Sequence, residues 1–61
     1  MTFNVIYAKK FAEEVVETKI KKHFRTVADA REEVEAIPDV IAYRVFEGGI
    51  RVFSKKIKNG G

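Results

Sequence analysis

Val40-Ile41-Ala42-Tyr43-Arg44-Val45-Phe46-Glu47 and Ile50-Arg51-Val52-Phe53-Ser54-Lys55-Lys56-Ile57 are two runs of β-type composition separated only by Gly48-Gly49. The two glycines predict a hairpin closed by a type I′ turn, because both central residues of that turn take positive φ, which glycine adopts without steric cost. Pairing outward sets Glu47 against Ile50, Phe46 against Arg51, Val45 against Val52, Arg44 against Phe53, Tyr43 against Ser54 and Ala42 against Lys55. Side chains alternate across a strand, so Ile41, Tyr43, Val45, Ile50 and Val52 are expected on one face and Arg44, Phe46, Arg51, Phe53 and Lys55 on the other. The first set is apolar enough for a core. The second crosses each arginine with a phenylalanine, where a guanidinium over a ring gains about 0.5–1 kcal/mol at an exposed site. A four-residue loop keeps these faces but opposes Arg44 to Arg51, a like-charge pair, so the two-residue turn is preferred.

Upstream of the hairpin, Thr26 is a good N-cap, and Asp29 gives a shorter version of the capping box. Val27, Ala30, Val34 and Ile37 recur on one helical face, and Asp29, Glu32 and Glu33 suit the positive end of the helix dipole. Pro38 stops the helix, since the residue before a proline is driven out of the helical region. A helix over about 26–37 follows. Thr2 to Ala8 alternates Phe3, Val5 and Tyr7 against Asn4 and Ile6 and reads as a strand. Lys9 to Glu13 carries no Gly, Pro or Asn to mark a turn. Glu14 to Phe24 fits two templates. As a strand it sets Val16, Thr18, Ile20 and Phe24 opposite Glu17, Lys19, Lys21 and His23; as a helix from Phe11 it aligns Ala12, Val16, Ile20 and Phe24. The strand is preferred because the run is β-branched and its other face is cleanly polar.

The expected fold is α+β: one small domain over 1–61, order β-β-α-β-β, a mostly antiparallel sheet with one amphipathic helix on one face, and a frayed tail at 58–61. The expected core is Phe3, Val5, Tyr7, Val16, Ile20, Val27, Ala30, Val34, Ile37, Ile41, Tyr43, Val45, Ile50 and Val52. One helix covers one face of a sheet. The other, with Arg44, Phe46, Arg51, Phe53 and Lys55 and with Ile6 and Val15 as candidates beside them, is left to a partner.

With 61 residues the chain is near the lower limit for folding alone, and the absence of cysteine removes disulfides and cysteine-ligated zinc as staples. Self-association is a natural way to enlarge such a core. Lack of cysteine also makes a cytoplasmic setting the default. No segment reads as a signal peptide or reaches membrane-spanning length. The formal charge of +3 is modest but unevenly spread: acids gather at Asp29, Glu32, Glu33 and Glu35, bases at Lys9, Lys10, Lys19, Lys21, Lys22 and Arg25 and at Arg51, Lys55, Lys56 and Lys58. An acidic helix side and a basic sheet side are expected.

Residues for catalysis are scarce. Nucleophilic catalysis needs a nucleophile, a base and an orienting group, and the chain has one serine, Ser54, and one histidine, His23, expected on opposite sides. Glu13-Glu14 and Glu32-Glu33 are adjacent carboxylates of the kind found on solvated turns and helices, without a cleft to hold a sugar. Gly48-Gly49 lacks the strand-loop-helix setting of a phosphate loop. The expectation is therefore a non-enzyme with no cofactor, no metal and no small-molecule substrate.

Two uses of the open face remain. Two phenylalanines and two arginines have the composition of an interface hot spot, and a homodimer or an acidic macromolecular partner covering them would enlarge a marginal core. Alternatively the aromatics stack the bases of a single-stranded nucleic acid while Arg44, Arg51 and Lys55 hold its phosphates. Protein association needs fewer assumptions. In its brevity and its lack of cysteine and catalytic residues the chain resembles small accessory or inhibitor proteins of phages and mobile elements, a likeness of type that no motif carries. That resemblance implies action by occluding a partner's site.

Overall fold

In the structure, a computed structural model that describes residues 2–57, the chain runs β1 (Asn4–Phe11), β2 (Glu14–Lys19), α1 (Val27–Glu35), β3 (Val40–Glu47) and β4 (Ile50–Lys56). The strands form one antiparallel sheet in the order β2-β1-β3-β4, with α1 on one face. This is the α+β, β-β-α-β-β domain that the residue pattern implies. The tail 58–61, read as frayed, lies outside the described residues.

Local chemistry accounts for the helix and its ends. The Thr26 hydroxyl accepts from the Asp29 N–H at 3.0 Å, and Ala30 and Val34 on the inner face are fully buried. Beyond Ala36 the chain turns at Pro38 and at Asp39, whose positive φ of 67° a short polar side chain tolerates. Gly48 and Gly49 take φ of 57° and 84°, as the hairpin turn requires. Gly49→Ala should therefore cost about 1 kcal/mol, the strain of a left-handed alanine, read as a lower urea midpoint with an unchanged slope.

Segment Glu14–Phe24 is strand only as far as Lys19. Ile20 still donates to the Val5 carbonyl, and after Lys21–His23 the Phe24 backbone exchanges bonds with Phe3 at 2.8 and 2.9 Å. The unmarked connection before it is a two-residue turn, Ala12-Glu13, in which Ala12 takes φ of 57°.

Two extra residues decide which side chains enter the core. Ile41 is unpaired between Ala8↔Ala42 and Lys9↔Val40, which turns Val40 inward. Val52 is unpaired between Phe46↔Arg51 and Val45↔Phe53. Such bulges set two residues against one and reverse the alternation beyond them. The core consists of Val5, Phe24, Ala30, Val34, Val40, Tyr43 and Val45, with Phe3, Tyr7, Ile20, Val27, Ile37, Phe53 and Ile57 packed around it.

Three expected core members are in solvent instead: Val16 at 52%, Ile50 at 71% and Val52 at 45% exposed. Ile41 is half-buried at its bulge. The physical reason is reach. A nine-residue helix is about 14 Å long, whereas the molecule extends 36 Å, so both hairpin ends project beyond α1.

Candidate functional site

Opposite α1, besides Val15 paired with Lys10 near the β1-β2 turn, the sheet presents three rows of side chains, read across paired positions. The first is Glu17, Ala8, Ala42, Lys56; the second Lys19, Ile6, Arg44, Ser54; the third Asn4, Phe46, Arg51. No helix among the described residues covers them. Ala8 directly opposes Ala42, and two methyl groups side by side on β1 and β3 leave a dip of about 280 Å³. Ile6 lies beside its floor, while Arg44, Arg51, Ser54 and Lys56 rise around it.

Charge on this face is strongly one-sided. Among the described residues, Lys10, Lys19, Arg44, Arg51 and Lys56 stand against the single carboxylate of Glu17. Arg44 Nη2 holds Glu17 Oε1 at 2.9 Å, which spans two strands and fixes the guanidinium at the edge of the dip. Among the described residues Arg51 and Lys56 make no ion pair, so two cations at the rim are available to an incoming anion.

The bulge at Val52 corrects the predicted site. Phe46↔Arg51 pairs as expected, but Arg44 faces Ser54 rather than Phe53, and Tyr43 faces Lys55. Arg44, Phe46 and Arg51 share the open face; Phe53 and Lys55 lie on the helix side. Ser54, expected toward the core, is outward. The slip half-buries a ring that would otherwise sit in water, and Phe53 packs on Tyr43 with ring centroids 6.0 Å apart. The guanidinium over Phe53 belongs to Arg31 of the helix, at 4.6 Å.

Lys55 instead joins a polar latch between helix and sheet. The buried Tyr43 ring brings its hydroxyl to Glu35 Oε2 at 2.5 Å, Arg31 Nε donates to that hydroxyl at 3.1 Å, and Lys55 Nζ approaches Glu35 at 3.5 Å. The Tyr43 hydroxyl, followed by Lys55 and Arg31, holds the Glu35 carboxyl below its ordinary range. Burial, with Glu35 beside it, pushes the Tyr43 phenol up. The bond to Tyr43 and the Glu35 charge raise Arg31. These groups hold the fold together on the side away from the open face.

A wider groove of about 980 Å³ runs between α1 and β2, but Lys22 and Arg25 on one wall meet Asp29, Glu32 and Glu33 on the other, so it selects neither sign of charge. His23 is exposed and takes a 3.1 Å bond from the Asn4 amide. Ser54 on β4 and His23 beside Asn4 of β1 are separated by β3. Among the described residues no three His, Asp or Glu side chains converge as metal ligands, and no helix is long and apolar enough to cross a membrane.

Lys10, Lys19 and Lys56, read from the sequence only as members of basic clusters, belong to the open face, as do Ala8 and Ala42, which the sequence reading did not place there. The alternation of Ile6, Ala8 and Lys10 against Val5, Tyr7 and Lys9 carries part of that signal. Comparison with protein-family models, curated proteins and solved structures finds no significant match to the chain.

Proposed function

We propose that the protein is a non-enzymatic binding module whose open sheet face takes an acidic protein surface and acts by occluding it. The observation that carries this is the arrangement of Arg44, Arg51, Lys56 and the Glu17 carboxylate around an apolar dip made by Ala8 and Ala42, with Lys10 and Lys19 elsewhere on the same face. A carboxylate seated in the dip between Arg51 and Lys56 meets two unpaired cations, and Ile6, Ala8 and Ala42 supply apolar contact around it. Single-stranded nucleic acid is less well served. Tyr7, Tyr43 and Phe53 point to the helix side, leaving Phe46 as the one aromatic ring on the face among the described residues, where stacking platforms use several.

Titrating isotope-labelled protein with polyglutamate and, separately, with oligothymidylate is the direct test. Polyglutamate should shift the amides of Arg44, Arg51, Ser54 and Lys56, weaken as salt rises, and lose about tenfold or more in affinity, roughly 1.4 kcal/mol, in an Arg51→Glu/Lys56→Glu variant. Binding of oligothymidylate alone would move the assignment to nucleic acid. Absence of both at low salt would remove the face as a binding site.

A further inference from the structure

We infer that β2 is a self-association edge, through which two copies join their sheets antiparallel about a two-fold axis perpendicular to the sheet. The two outer strands are unlike. β4 carries the bulge at Val52 and the cations Arg51, Lys55 and Lys56, devices that blunt an edge against pairing. β2 has no proline, glycine or bulge, and all six of its side chains are exposed, Val15 at 57% and Val16 at 52%. Its outer backbone groups are placed for a partner. Ile20 donates inward to Val5, so by alternation Val16 and Thr18 bond to β1 while the N–H and C=O groups of Val15 and Glu17 point away from the sheet.

The occupant that fits is a second copy in one register. Directly opposed residues of an antiparallel pair lie on the same face, so the two-fold axis passes through a residue of β2 and its own mate. Centring on Glu17 opposes two carboxylates. Centring on Thr18 pairs only residues 17–19, and centring on Val15 pairs only 14–16 and sets Glu13 opposite Glu17. Centring on Val16 pairs residues 14–18: Val15 and Glu17 exchange ladder bonds with Glu17 and Val15 of the second copy, Val16 packs on Val16, and Lys19 comes opposite Glu13. Charges are complementary at both ends of the seam. The open face itself cannot be the contact between copies, because its five cations would meet five like charges. Edge pairing keeps both helices on one side and extends the basic face over eight strands, and it does not depend on which acidic partner that face takes.

Sedimentation from micromolar to millimolar concentration tests this. The full chain should show twice the monomer mass. Val16→Lys, which sets two ammonium groups together at the axis on an already exposed position, and Val15→Pro, which removes only an outward N–H, should each halve that mass while the circular dichroism spectrum is kept. Arg51→Glu on the open face should leave the dimer intact. A monomeric wild-type chain throughout the range, or variants of β2 that fold and still dimerise, would overturn the assignment.

Discussion

Replacing Phe24 by alanine is expected to leave much of the chain unfolded at room temperature. The ring is 4% exposed, its backbone is bridged to Phe3, and Lys22 Nζ lies 5.4 Å from its centroid. It closes the core beyond the end of β2, where the ladder to β1 has stopped. Removing a buried phenyl group costs about 3–5 kcal/mol, transfer and cavity together. At about 0.05–0.15 kcal/mol per residue, a domain of this size has roughly 3–9 kcal/mol in total. Urea unfolding followed by circular dichroism would read the loss directly. Phe11→Ala is the matched control: at 75% exposure its ring contributes almost no burial, and its midpoint should stay close to that of the wild type. Equal midpoints for the two variants would mean that Phe24 is not a core residue.

The same residue shows where sequence patterning stops. Period and punctuation were legible wherever the backbone obeys a local rule: Thr26 and Pro38 bound the helix, and the paired glycines set the turn and the two pairs nearest it. Bulges leave no such trace. Nothing in Arg51-Val52-Phe53 announces that Val52 will go unpaired; that choice is made by what the helix offers, an Arg31 side chain over the Phe53 ring and Tyr43 beneath it. From that point outward every β4 side chain changes face, so Phe53 and Lys55 left the predicted site while Ser54 and Lys56 entered it. Phe24 was missed for a related reason. Alternation set it on the face of Val16 and Ile20, but it lies beyond the end of β2, held by one bridge to Phe3 rather than by a continuous ladder, and the pattern did not carry it into the expected core.

Tyr43 carries the other large effect, and two substitutions separate its parts. Tyr43→Ala removes a ring that is 2% exposed and contacts Phe53, and should cost about 3–5 kcal/mol like other aromatic deletions. Tyr43→Phe keeps the ring and removes the hydroxyl between Arg31 and Glu35, at about 1 kcal/mol, below the range for buried bonds to charged groups because both partners reach solvent. The signature of the second variant is its pH profile. Glu35 has a folded pKa below its unfolded value, so its stabilisation is complete above the ordinary carboxylate range, near about 4.3, and is lost as pH falls through the lower folded value. Tyr43 has a folded pKa above its unfolded one, so the neutral phenol stabilises below about pH 10 and that contribution disappears as pH rises through the folded value. Wild-type urea midpoints should therefore decline toward both extremes. In Tyr43→Phe the alkaline decline assigned to this phenol vanishes, and the acid decline shrinks without disappearing, because Lys55 and Arg31 still face the carboxylate. A profile for the Tyr43→Phe variant that runs parallel to that of the wild type would show that the hydroxyl does not couple helix to sheet.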